Sequence, residues 1–319
     1  MKGLLWATAL MLVLGQSAAC APAPVSGQPL TPTAAATPTP GVTPPPQPTP
    51  TPTPPRLPTP QREPVIVVFH PDYLRVYANE AAAVPGRIES ILKEIQGAPG
   101  FLFVQPERAT EDDLKIVHPQ AHIDAVKLHG MVLYDTALRA AGGAILASEI
   151  AMAGQPSFGL IRPPGHHAGP ERYWGFCYFN NIAIAVKKLL DEGKIRRALI
   201  VDFDLHFGNG THDIFFNDPR VTYFHVVSQG GNRTQLLQEL EAFLSQTEGY
   251  DILAVSAGFD AGKLDLGGTF EIQDYTTMGT LLKRAAERDS GGKRFAILEG
   301  GYNNKVLGKN VKAFLDGFS

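Results

Sequence analysis

From residue 65 onward, short apolar runs alternate with longer stretches in which apolar residues recur every three or four positions. The runs are VIVVF (65–69), FLFV (101–104), FGLI (158–161), RALIVDF (197–203), VTYFHVV (221–227), DILAVSA (251–257) and FAIL (295–298). Their length and their β-branched and aromatic content suit strands buried on both faces of a parallel sheet. Helical patterns separate most of them. GRIESILKEI places Ile88, Ile91, Leu92 and Ile95 at helical spacing, and TALRAAGGAILASEIAMAG, NIAIAVKKLLDEG, TQLLQELEAFLSQ and YTTMGTLLKRAAER behave likewise. The alternation predicts an α/β fold over residues 65–319: a single domain whose mainly parallel sheet is flanked by helices.

Upstream of residue 65 the pattern changes character. Lys2 precedes an apolar run from Gly3 to Gly15, and Ser17-Ala18-Ala19 follows, the order of a secretory signal over residues 1–20. That run is too short for an ordinary membrane span. Ser-Ala-Ala-Cys resembles a bacterial lipobox, which makes Cys20 the expected lipidation site, although Ser17 stands where Leu is usual and leaves simple cleavage open. Residues 21–64 hold 17 of the 27 prolines and few apolar side chains, so they read as an extended, disordered linker. The expected protein is exported, either held to the outer face of the cell membrane by a lipid anchor or periplasmic. With Cys20 lipidated or removed, Cys177 has no disulfide partner, and the domain must rely on its core. A formal charge of −3 and the lack of long basic runs argue against nucleic-acid binding. No signal for an oligomeric state is visible.

The candidate chemistry lies just after the apolar runs, where open α/β sheets bind ligands. FGLI leads into RPPGHHAGPERYWGFCYFNN, ALIV into DFDLHFGNG, LAVSAGF into Asp260, and FAIL into EGGY. In DFDLHF the polar Asp202, Asp204 and His206 alternate with Phe203, Leu205 and Phe207, so an extended chain puts all three polar groups on one face. His166 and His167 follow Pro163-Pro164-Gly165, a stiff turn. Asp204, His206 and Asp260 together make an oxygen-rich, three-donor site. Such a site suits Zn²⁺, with Fe²⁺ or Co²⁺ as alternatives, and leaves room for water and substrate.

Taken in order, RPPGHHA, GFCYFNN, DFDLHFGNGT, SAGFDA and EGGY resemble the motifs of the histone deacetylase superfamily. Its bacterial members include acetylpolyamine amidohydrolases and acyl-lysine hydrolases, and the asparagine of GNGT is similar to the class II and polyamine branch. The resemblance implies the arginase/deacetylase fold and zinc-dependent hydrolysis of an N-acyl amide to a free amine and a carboxylate. It implies that Asp204, His206 and Asp260 hold the metal. His167 becomes the general base and later acid, and His166 its electrostatic neighbour. Asp202 supports His166 and Asn209 supports His167. Tyr302 donates a hydrogen bond to the polarised carbonyl, and Gly175 with Phe176 walls the substrate channel. Arg87, in PGRIESI, resembles a Pro-x-Arg element near the inner end of the family's site, the plain alternative being a surface ion pair. His118 and His122 are expected to be structural, and Cys177 a buried, inert thiol.

Three departures from the family pattern shape the remaining expectations. Phe207 stands where a histidine is usual. His225 stands where the family's monovalent-cation site usually has serine, which leaves K⁺ open. The rim is compressed, with Asp135 the nearest candidate for a substrate-gripping acid and FHVVSQGGNRTQ running straight into a helix. Short rim loops predict an open, shallow entrance and an acyl-lysine peptide or acetylpolyamine as substrate, leaning toward the peptide. Two rival functions are a metal-holding binding protein without turnover and an extracellular amino-sugar de-N-acetylase.

Overall fold

Each of the seven apolar runs forms a strand in the computed structural model, which describes residues 63–227 and 231–319. The signal-like segment with Cys20, and all but the last two residues of the Pro/Thr-rich segment, lie outside the described residues. The strands are β1 (Val65–Val68), β2 (Phe101–Val104), β3 (Ser157–Gly159), β4 (Ala198–Asp202), β5 (Val221–His225), β6 (Ile252–Ala257) and β7 (Arg294–Leu298). They form one sheet in the order β2-β1-β3-β7-β6-β4-β5, with every neighbouring pair parallel.

The five helical patterns become α1 (Arg87–Ile95), α4 (Met131–Met152), α5 (Asn181–Asp191), α7 (Arg233–Gln246) and α8 (Ile272–Asp289). Four further helices were not expected from the pattern: α2 (Glu111–Lys115), α3 (Gln120–Lys127), α6 (Asn209–Phe215) and α9 (Leu307–Phe318). The first three span eight residues or fewer, too short for periodicity to register. In α9 the apolar stripe Leu307, Val311, Phe314 and Leu315 is flanked by Gly308 and Gly317, residues that weaken a helical reading. Both glycines mark close approaches: a Cβ on Gly308 would lie 2.0 Å from the Ser90 carbonyl of α1, and one on Gly317 2.2 Å from the Thr276 carbonyl of α8.

Two cores follow from the period-2 alternation of the strands. On β4, Leu199 and Val201 join the apolar cluster beneath α1, α7, α8 and α9, while Ala198 and Ile200 join the one beneath α4 and α5. Burial on both faces explains the near-continuous apolar runs. Strands β3, β7, β6 and β4 lie side by side in the sheet, and their carboxyl ends open on one edge. The chain leaves β3 and returns three places away at β4, which leaves the crevice that open α/β sheets use for ligands.

Candidate active site

Immediately after β4, each aspartate caps the backbone two residues on. Asp202 Oδ1 accepts the Asp204 N–H at 3.0 Å, and Asp204 Oδ1 accepts the His206 N–H at 2.9 Å. The remaining Asp204 oxygen accepts the Gly300 N–H at 2.8 Å, so the loop after β7 buttresses the loop after β4. Only glycine fits there, because a Cβ on Gly300 would lie 2.5 Å from that oxygen. From the loop after β6, Asp260 Oδ1 accepts the Leu205 N–H at 2.9 Å. Its Oδ2 is buried and makes no hydrogen bond. His206 Nδ1 lies 3.2 Å from Asp204 Oδ1 and 3.0 Å from that orphaned Asp260 oxygen.

Three donor atoms of Asp204, His206 and Asp260 thus lie within 4.8 Å of one another. Burial and the nearby Asp204 carboxylate push the Asp260 carboxyl up to about 6. The hydrogen bond to Asp204 and the close Asp260 carboxylate push His206 up to about 10. Two crowded acids, one oxygen without a partner, and an imidazole nitrogen facing both form a donor set that fits a divalent cation.

Beside this set stands the histidine pair, on the loop after β3. His166 Nδ1 donates to Asp202 Oδ2 at 3.0 Å, since a carboxylate only accepts. Burial works against a charge on His166, but the Asp204 and Asp202 carboxylates outweigh it and hold the imidazolium. His167 Nδ1 lies 2.8 Å from the Asn209 amide oxygen, which leaves Nε2 with its lone pair free. Burial, reinforced by charged His166 next door, lowers His167 to about 4 and keeps it neutral. The two rings are 4.1 Å apart.

Glu299, inside the EGGY motif, escaped the sequence reading. It is fully buried at the end of β7 and accepts the N–H groups of Gly165 at 2.7 Å and His166 at 3.2 Å. The Ser256 hydroxyl is 3.3 Å from its other oxygen. An acid that directly follows the apolar run FAIL must find its partners inside the protein, and that was the available signal.

Trp174–Cys177 form a tight turn with Gly175 at φ 60° and Phe176 at φ 67°, closed by the Cys177 N–H to the Trp174 carbonyl at 3.0 Å. Gly175 sits so close that a Cβ would meet His167 Cδ2 at 2.5 Å. Phe176, held at positive φ although it is not a glycine, turns its ring edge-on to Tyr302 at 6.0 Å. Trp174, also missed in the sequence, lies 4.3 Å from the His167 ring and is half exposed. The Tyr302 and Asn303 N–H groups bind Asp265 Oδ2 at 2.8 and 2.7 Å, and burial with the Asp204 charge keeps the phenol protonated.

Arg87 is no surface residue. It is fully buried, donates to the Gly301 carbonyl at 2.8 Å and to the Glu299 carbonyl, and lies 5.5 Å over the Tyr302 ring. His118 and His122 are braces, as expected. The stacked pair reaches the carbonyls of Pro170 and Tyr178 and the Asn180 N–H, clasping the loop that carries the turn. The Cys177 thiol is buried and pushed upward by that burial. Asp135 lies in α4 and pairs with Arg108 at 2.9 Å, so it belongs to the helix surface rather than reaching toward a substrate.

A profile described as the histone deacetylase domain matches residues 128–234 and 227–318. The chain belongs to the histone deacetylase family. A probable deacetylase of Methanothermobacter thermautotrophicus is 32% identical to this deacetylase over 303 residues, which cover 79% of the chain and 90% of that relative. Histone deacetylase 10, chloroplastic, of Oryza sativa subsp. japonica is 34% identical over 208 residues, 54% of the chain and 47% of that protein. The crystal structure of the HDA15 HD domain superposes with a TM-score of 0.67 at 26% identity, covering 81% of this chain and 91% of that one. The fold is that of the arginases and deacetylases, and the coarse activity is hydrolytic deacetylation.

The rim of this deacetylase is open among the described residues. The His206 side chain is 46% exposed. A cavity of about 450 Å³ borders Tyr302 and is lined by Leu264, Asp265, Leu266, Asn303, Asn304 and Lys305. Phe207 does not enter the core; it packs over the Tyr223, His225 and His212 rings at 5.7, 5.4 and 5.3 Å.

Proposed function

We propose that this deacetylase is a zinc-dependent amidohydrolase that removes an acyl group, acetyl in the simplest case, from a lysine side chain in a peptide, with acetylpolyamines as the second substrate class. The observation that carries the proposal is the buried, unpartnered Asp260 Oδ2 facing His206 beside Asp204. Fe²⁺ or Co²⁺ would suit the same donors. When bound, the metal supplies Lewis-acid polarisation of the amide carbonyl and lowers the pKa of a water to about 7.

The protein's own groups do the rest. Asn209 fixes the His167 tautomer, so Nε2 faces the reaction as a base. Neutral His167 takes the proton of the attacking water there as the new C–O bond forms. As the C–N bond breaks, the same nitrogen returns the proton to the leaving amine, and a carboxylate remains. Charged His166, held by Asp202, offsets the negative charge that builds up. Tyr302, protonated, donates to the carbonyl oxygen. Phe176 and Trp174 flank the acyl-amine stem and exclude water from His167.

Asp265, the acid that lines the cavity beside Tyr302, is engaged by the Tyr302 and Asn303 N–H groups, and Asp135 is held on the helix surface by Arg108, so neither greets a polyamine cation. That favours a peptide. The open mouth and half-exposed His206 keep an amino-sugar substrate as the second reading. The exported, lipid-anchored location expected from Cys20 is part of the proposal. Membrane fractions of cells expressing the full chain should lose the protein on Cys20→Ala.

The function is tested with zinc-loaded protein on acyl-lysine peptides of several chain lengths, acetylspermidine, acetylputrescine and N-acetylglucosamine oligomers. Turnover of the peptides is expected. No turnover of any of them, with zinc shown to be bound, leaves a metal-holding binding protein and ends the deacylase reading.

A further inference from the structure

We propose that Tyr223 and His225 stand in for a monovalent cation behind the metal donors, so that this deacetylase works without potassium. Strand β5 runs along β4 with His225 in register with Asp202, and Tyr223 two residues earlier on the same face. His225 Nε2 lies 3.0 Å from the Asp204 carbonyl; a carbonyl only accepts, so the imidazole donates. The Tyr223 hydroxyl donates to Asp202 Oδ2 at 2.9 Å and accepts the Gly208 N–H at 3.0 Å.

An ion at this place would be held by carbonyl and carboxylate oxygens with lone pairs to spare. Here the Asp202 oxygens and the Asp204 carbonyl each already have a donor, and position 225 brings an N–H rather than a further oxygen. Asp202 Oδ2 takes His166 as well as Tyr223, Oδ1 takes the Asp204 N–H, and the Asp202 carbonyl takes the Val226 N–H at 2.8 Å. The residues therefore do not fit a potassium ion. Phe207 completes the device. Its ring meets the His225 and Tyr223 rings edge-on, at interplanar angles of 87° and 76°. An apolar ring there screens the hydrogen bonds from water, and it offers nothing to a hydrated ion. The two sequence departures, Phe207 and His225, are thus one arrangement. Tyr223 and His225 are positioning residues: they hold the carbonyl and carboxylate that shape the strand end carrying Asp204 and His206.

The test compares zinc-loaded full-length protein in KCl and in choline chloride at equal ionic strength, by thermal melting and by kcat and KM. Only the kinetic arm rests on the deacetylase reading; melting needs no substrate, so failure of one is distinguishable from failure of the other. The wild type is expected to melt at the same temperature in both salts and to keep kcat/KM within about twofold, a change well below the effect of removing a supporting group. His225→Ser is expected to lose kcat by about 10-fold or more in choline with zinc content unchanged, and to regain activity and melting temperature saturably with KCl. His225→Asn, which keeps a side-chain N–H, should restore salt indifference. If His225→Ser does not fold, Tyr223→Phe serves, with kcat lowered and KM unchanged. Saturable stabilisation or activation of the wild type by potassium overturns the proposal, and so does a serine variant that potassium fails to improve.

Discussion

Glu299→Gln isolates the acid that the structure places under the Gly165-His166 backbone. Burial pushes the Glu299 carboxyl from 4.5 up to about 7, against the pull of charged His166 and of the Gly165 N–H. A carboxyl raised on folding contributes stability that is fully present below its ordinary value and is lost as pH rises through the folded one. At about 1.4 kcal/mol per pKa unit, the loss between pH 4.5 and 7 is on the order of 3 kcal/mol. Glutamine has the shape of the neutral acid at every pH: its oxygen can still accept from Gly165 and His166, and its amide faces Ser256. The wild type should therefore fall behind the variant as pH rises from 5 to 8. For a domain of this size the melting difference should grow by roughly 6–12 °C over that range. Thermal melts of chelator-treated protein at half-unit pH steps read it directly. Parallel curves for the two proteins would refute the reasoning, because Glu299 would then be ionised, or neutral, throughout. Glu299→Ala should differ: it strands two buried N–H donors, at about 1–3 kcal/mol each, with no pH dependence of its own.

Tyr302→Phe should lower kcat by about 10²–10³ with zinc content unchanged, as measured by single-substrate kinetics beside metal analysis. Asn209→Ala should lower activity by about 10–100-fold, since His167 loses the partner that fixes its tautomer; normal kcat would remove Asn209 from the mechanism. Chelation of the metal should abolish turnover and zinc restore it, whereas Asp260→Ala, lacking the orphaned oxygen, should not retain zinc through gel filtration. Trp174→Ala should raise kcat/KM for bulky acyl groups relative to acetyl, because the indole flanks His167; an unchanged ratio would place Trp174 outside the channel.

The sheet was legible because all seven strands carry apolar runs: the five inner strands are buried on both faces, and the edge strands β2 and β5, though partly exposed, keep the pattern. The candidate metal donors were legible for a related reason. A polar residue that follows such a run is carried to the carboxyl edge whatever the rest of the fold does, which is how Asp202, Asp204, His206 and Asp260 could be picked out. Family resemblance then separated donors from supports among them.

Other features depend on distances between segments far apart in the chain, and no local pattern encodes those. Glu299 reaches His166 across 133 positions, and Arg87 reaches the Gly301 carbonyl across 214. Glu299 reads locally as an ordinary acid, and Arg87 only by resemblance as an element near the inner end of the site; burial assigns both their partners. Gly308 and Gly317 argue against a helix by propensity, yet they allow α9 to press onto α1 and α8, where packing outweighs intrinsic preference. Phe207 and His225 were visible as oddities eighteen positions apart. That they are halves of one arrangement was decided by the register of β5 on β4, which sets His225 beside Asp202 and its N–H on the Asp204 carbonyl. Sequence alone determined which residues arrive at the sheet edge; the pairing of strands determined which oxygens were left free there.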